Sequence, residues 1–118
     1  MAARVVHVEF PAQDANRAEQ FYGGLFGWEF GRPMEEMDYR MANLGEGQGA
    51  AIYPDEGGGP GLRVYFDTDD IEATIAKVRE SGGEAEEKAP VPGMGWFASC
   101  RDPEGNAFSL WQTDSSAG

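Results

Sequence analysis

The chain has 118 residues, enough for one domain with its own core and too few for two. Apolar residues make up 41% and aromatic residues 12%, the composition of a folded protein rather than a disordered one. A net charge of -12 argues against nucleic acid and anionic membranes as partners, since neither polyanion is drawn to such a surface.

The start, MAARVVHVEF, lacks the layout of a signal peptide, and no stretch approaches the roughly 20 apolar residues of a membrane helix, so a cytoplasmic location is expected. Arg4 to Phe10 reads as a strand with Val6, Val8 and Phe10 on a core face and Val5, His7 and Glu9 on the other. Pro11 is expected to end it. Asp14 is then the N-cap of a helix whose apolar stripe, Ala18, Phe21, Tyr22, Leu25 and Phe26, belongs to the core, and Gly27 stops it. Strands are expected over Trp28 to Phe30, Tyr39 to Leu44 and Ala50 to Tyr53, the last two joined by Gly45-Glu46-Gly47. Pro54 to Gly61, PDEGGGPG, reads as a flexible linker.

After the linker the pattern begins again. Arg63 to Asp67 is a strand, Asp69 and Asp70 offer caps, and Ile71, Ile75 and Val78 form a helical stripe ending at Gly82-Gly83. Glu84 to Ala89 is a charged edge strand, Pro90 to Gly95 a loop and Trp96 to Cys100 a strand. Cys100 is the only cysteine, so an internal disulfide and a Cys-rich metal site are both excluded. DPEGN, from Asp102 to Asn106, is a dense turn signal feeding a last strand, Ala107 to Gln112. On that strand Ala107, Ser109 and Trp111 share one face, opposite Phe108, Leu110 and Gln112.

Both halves run strand, helix, three strands. Asp14 and Asp70 stand 56 residues apart, and the same offset pairs His7 with Arg63 and Tyr53 with Ser109. The chain therefore reads as a two-fold repeat of a βαβββ unit. One domain over residues 1–118 is expected, with a first module at about 3–54, the linker at 54–61 and a second module at about 61–113.

His7 placed seven residues before Asp14, FYGGLFGW from Phe21, FDTDDI from Phe66 and the DPEGN turn with its strand resemble the vicinal oxygen chelate superfamily. That superfamily includes glyoxalase I, extradiol dioxygenases, methylmalonyl-CoA epimerase and bleomycin-resistance proteins, and PVPGMGWFASCRDPEGNAFSLWQ resembles an uncharacterised glyoxalase-like branch of it. The resemblance implies an α+β fold, two βαβββ modules curling into a half-open β-barrel around a cleft, in the manner of glyoxalase, bleomycin resistance protein and dihydroxybiphenyl dioxygenase. It also implies a homodimer. In the superfamily's enzymes a divalent metal is held at positions that correspond to His7, Tyr53, Arg63 and Ser109. Only His7 is a good ligand: Arg63 is a permanent cation, Ser109 a neutral hydroxyl and Tyr53 a poor donor unless ionised.

The inward set implied by the resemblance is His7, Glu9, Tyr53, Arg63, Tyr65, Ser109 and Trp111, with Trp96 as a neighbour. Aromatic walls with one base, one acid and one fixed cation suit a small organic molecule carrying a polar or carboxylate group. The resulting expectation is a metal-free binding protein like the bleomycin-resistance branch, with no cofactor. The alternative is a glyoxalase I type lyase or isomerase whose divalent metal rests on His7 and Glu9 and acts on vicinal oxygens. His7 and Glu9 are the best candidates for any chemistry, His7 as a base oriented by Glu9. Each residue also has a plainer reading: His7 as a strand histidine bonded to a neighbour, Glu9 and Arg63 as an ion pair, and Trp96 and Trp111 as packing.

Overall fold

The computed structural model of the protein describes residues 3–57 and 61–118, so residues 58–60 of the expected linker lie outside the described residues. The chain divides into two compact units, Val6–Arg63 and Val64–Gly118, the second taking in the chain just before Val6, where the Arg4 N–H donates to Asp67 Oδ1 at 2.7 Å.

The first unit holds β1 (Val5–Ala12), α1 (Ala15–Phe26), β2 (Phe30–Gly31), β3 (Arg40–Gly45) and β4 (Gln48–Pro54). Its strands lie in the order β2-β3-β4-β1, with β1 parallel to β4 and the other pairs antiparallel. Asp14 caps α1 by accepting the Arg17 N–H at 3.0 Å, and Gly27 ends it in the left-handed region at φ 72°. Three successive positive φ angles at Gly45, Glu46 and Gly47 close the β3–β4 hairpin.

Two expectations change here. Pro11 does not end β1, which runs on to Ala12. The Ala12 carbonyl accepts from the Asp55 N–H on the β4 side, so the nitrogen of Pro11, one residue back, faces away from β4 and costs that ladder no bond. The α1 stripe is also not core: Phe21, Leu25 and Phe26 are 60%, 60% and 53% exposed. Tyr22, a member of that stripe, does face the sheet, against Phe10 with ring centroids 4.6 Å apart, and Glu19 joins it there through Arg40. Phe21 and Leu25 lie on an adjoining side of the helix. The buried centre of this unit is sheet, with Ala42, Ala50, Ala51 and Ile52 almost fully enclosed.

The second unit holds β5 (Arg63–Asp67, whose first residue closes the first unit), α2 (Ile71–Glu80), β6 (Glu84–Ala85), β7 (Ala89–Val91), β8 (Gly95–Arg101) and β9 (Ala107–Thr113). β9 lies between β5, which it parallels, and β8, which it opposes, while β6 and β7 both pair with β8. The expected edge strand from Glu84 to Ala89 is thus two short strands, the second carrying Pro90 out to Val91. Asp70 caps α2, accepting from the Ala73 N–H at 3.1 Å. Ile71, Ile75, Ala98, Cys100 and Leu110 form the core under α2, ringed by Val78, Ala85, Trp96 and Phe108. Asp102 organises the DPEGN turn by accepting the N–H groups of Glu104 and Asn106, and Gly105 takes the positive φ of 87°. The protein is therefore α+β, a βαβββ unit followed by a second in which the first of the three trailing strands is broken in two.

Candidate functional site

In the first unit, β1 sets His7 and Glu9 on the face opposite Val8 and Phe10. Their β4 register partners, Gly49 and Ala51, offer little or no side chain on that face, which leaves room for the larger groups of β1. The chain reaches Tyr39 just before β3, and its hydroxyl lies between the two. It donates to Glu9 Oε2 at 2.7 Å and stands 2.8 Å from His7 Nε2, whereas His7 Nε2 and Glu9 Oε2 are 3.8 Å apart. Glu9 therefore acts on His7 through Tyr39 rather than by direct hydrogen bond. The His7 and Glu9 side chains are only 17% and 14% exposed. Burial lowers the His7 pKa below 6.5, and the negative charge of Glu9 partly opposes that shift. Gly49 is needed for this packing, because a Cβ on it would stand 3.1 Å from His7 Nδ1.

Tyr39 is the member of this hydrogen-bonded cluster that sequence reasoning missed. Thirty-two positions separate it from His7, and only the β1–β4–β3 pairing brings them together. The signal available in the sequence was a polar aromatic at the start of a strand, which is weak by itself.

Tyr53, on the same face of β4, donates its hydroxyl to the Gly61 carbonyl at 3.1 Å. Burial, then the charge of Asp55, raises its pKa above 10; Arg63 acts against that rise and Glu9 adds to it. Arg63, the first residue of β5, is half-buried.

In the second unit Tyr65 and Ser109 are register partners across β5 and β9, with Trp111 two residues further on the same face. Ser109 is fully enclosed, and among the described residues its Oγ is the one buried side-chain polar atom without a hydrogen-bond partner. Trp111 is half-buried, with its Nε1 donating to Thr113 Oγ1 at 3.1 Å. Trp96 is not their neighbour. It pairs with Gln112, packs beside the core under α2, donates to Asp114 Oδ2 at 3.0 Å and carries the Lys88 ammonium 4.2 Å from its ring centroid. Gln112 does lie on the side opposite Ser109, where its Oε1 accepts the Ile71 N–H at the start of α2.

Of the four positions that the resemblance sets against metal ligands, three do not suit a divalent cation. Tyr53 keeps its phenolic proton, Ser109 offers an enclosed neutral hydroxyl and Arg63 is itself a cation. His7 Nε2 is engaged with Tyr39. Among the described residues no three His, Cys, Asp or Glu side chains are grouped so as to hold a metal ion.

A profile of the glyoxalase-like domain matches residues 6–111. A glyoxylase-like domain-containing protein from Didymella fabae is 30% identical over 113 residues, covering 87% of this chain and 88% of that protein. A glyoxalase/bleomycin resistance protein/dioxygenase superfamily member from Vibrio splendidus superposes with a TM-score of 0.70 at 21% identity, over 94% of this chain and 99% of the other. Methylmalonyl-CoA epimerase from Mycobacterium tuberculosis superposes at 0.74 with 13% identity, over 93% and 87%. At these identities the solved structures share the α+β fold, while the sequence match covers almost the whole chain. The protein belongs to the glyoxalase-like domain family of the vicinal oxygen chelate superfamily.

Proposed function

We propose that the protein binds a small organic molecule without the help of a metal, on the face of the first unit that carries His7, Glu9 and Tyr39. The observation that carries this reading is the hydroxyl of Tyr39 set between Glu9 and His7, which commits the best metal-ligating nitrogen of the chain to a hydrogen-bonded chain of side chains. Such a face suits recognition by hydrogen bonding in a partly desolvated place, where each bond discriminates strongly between ligands. Arg63, near enough to Tyr53 for its charge to act there, supports a ligand with an anionic or strongly polar end. The acidic composition and the fold are compatible with a cytoplasmic protein, and no helix among the described residues is long and apolar enough to cross a membrane. Exposed Phe21, Leu25 and Phe26 on α1 support association of two copies.

The test is elemental analysis of untagged protein after equilibration with nickel, zinc, manganese and iron(II) and gel filtration, paired with a thermal-shift screen of small carboxylates and aromatic compounds. Metal is expected to wash out. Stabilising compounds should lose their effect in His7→Ala, and sedimentation of the same sample should give twice the chain mass. Near-stoichiometric metal that disappears in His7→Ala would overturn the proposal in favour of a metal-dependent lyase or isomerase acting on vicinal oxygens.

A further inference from the structure

We infer that Tyr39 is a positioning residue that fixes the tautomer of His7, holding the ring proton on Nε2 and the lone pair on Nδ1. The argument is a count of protons. The Tyr39 hydroxyl has one hydrogen and two close neighbours, Glu9 Oε2 at 2.7 Å and His7 Nε2 at 2.8 Å. A carboxylate has lone pairs only, so a contact this short between two oxygens needs the hydroxyl hydrogen in it. That hydrogen is then unavailable to His7, and the remaining contact is a hydrogen bond only if Nε2 supplies the proton. The opposite assignment places the Tyr39 hydrogen on Nε2 and leaves two oxygens facing each other at 2.7 Å with nothing between them. Donation therefore runs in one direction, from His7 to Tyr39 to Glu9.

The consequence appears at the other edge of the ring. A neutral imidazole protonated on Nε2 is an acceptor at Nδ1, so a group that hydrogen-bonds to that nitrogen must be a donor, an N–H or an O–H. The glycine at position 49 serves the same end, because a Cβ there would press on Nδ1 from 3.1 Å. Tyr39 thus decides whether His7 accepts or donates without itself having to touch a ligand. Where a ligand meets Nδ1, this selects a hydroxyl, enol, amide or amine rather than a bare acceptor. The inference rests on the proposed function only in that last clause, since the tautomer is a property of the protein alone.

His7 is the only histidine in the chain, so one imidazole accounts for every ring signal. A two-bond nitrogen–proton correlation spectrum of untagged, ¹⁵N-labelled protein, recorded on the alkaline side of the imidazole titration, should show a protonated Nε2 and an unprotonated Nδ1. Tyr39→Phe keeps the ring and removes the bridge, and should replace that pattern by an average of both tautomers. Glu9→Gln gives a second reading: its amide can donate to the Tyr39 oxygen and release the Tyr39 hydrogen toward Nε2, moving population to the Nδ1-protonated form. A wild-type ring protonated on Nδ1 would overturn the inference, and so would a pattern unchanged in either variant. Failure of the ligand screen alone would leave these spectra as expected, so the two proposals fail separately.

Discussion

The sharpest energetic test falls on Ser109. It is fully enclosed in β9, and its hydroxyl has no hydrogen-bond partner among the described residues. Leaving a buried hydroxyl unpaired costs about 1–3 kcal/mol, because the bonds it made to water in the unfolded chain are not replaced. Ser109→Ala removes the oxygen and that cost together. Against this stands the small void left by one atom, a few tenths of a kcal/mol at about 24 cal/mol per Å³ of cavity. The change should therefore stabilise the protein by about 1 kcal/mol, which for a chain of this size raises Tm by about 4 °C. Urea unfolding followed by tryptophan fluorescence should show a higher midpoint with an unchanged slope. Destabilisation by about 1 kcal/mol would refute the reasoning, since it would show that the hydroxyl makes a bond in the folded protein. Ser109→Glu serves as the control of opposite sign: an ionised carboxylate placed in an enclosed site should cost several kcal/mol.

Gly95→Ala should destabilise strongly, because its Cβ would collide with the Gln112 carbonyl oxygen and stand 2.6 Å from Trp111 Cζ2. A loss of about 3 kcal/mol by urea unfolding is expected, overpacking against backbone having no cheap relief, and a change within about 0.5 kcal/mol would contradict the packing of Trp111 over this glycine. Acidification should act on His7 in a defined direction. Its folded pKa lies below 6.5, so the unfolded chain binds the proton first, and the neutral folded ring contributes stability that is complete above pH 6.5 and lost as pH falls through the lowered value. The stability of the wild type relative to His7→Gln should decline from pH 7.5 to pH 5, and a rise over that interval would show that the Glu9 charge outweighs burial.

The parts of the fold that were legible in the sequence are those decided within a few residues. Asp14 and Asp70 cap helices by reaching back to N–H groups three positions on, so their 56-residue offset reveals the repeat without any knowledge of packing. Alternation likewise places Gln112 opposite Ser109, and the structure gives it a backbone N–H of α2 to bond. What sequence could not supply was the choice among faces. The apolar stripe of α1 is wider than the sheet beneath it, and nothing local says that Tyr22 rather than Phe21 turns inward. Trp96, read as a neighbour of the inward set from the loop before the penultimate strand, pairs instead with Gln112, one residue from Trp111, and one residue is the whole difference between two sides of a sheet. Tyr39 was invisible for the same reason on a larger scale. Its role depends on three strands aligning in register, a property of the assembled sheet.

The repeat also explains how the fold can persist whatever residues stand at the four positions that the resemblance sets against metal ligands. Each capping aspartate stabilises its own helix, so a module keeps its shape whatever stands seven residues earlier. His7 and Arg63 occupy that earlier position in the two modules, and Tyr53 and Ser109 occupy the matching later one. A catalytic metal site normally takes three good donors at once, and of these four positions only His7 offers one. Three of the four residues have local surroundings of their own: Tyr53 bonds the Gly61 carbonyl, Ser109 lies enclosed in β9, and His7 joins Tyr39 and Glu9. If the metal-free reading holds, a carboxylate restored at position 109 alone should bring no metal retention, because Tyr53 and His7 already have partners that a cation would have to displace. On the proposed reading, recognition by this chain rests on hydrogen bonds whose direction is set by where one proton of Tyr39 resides.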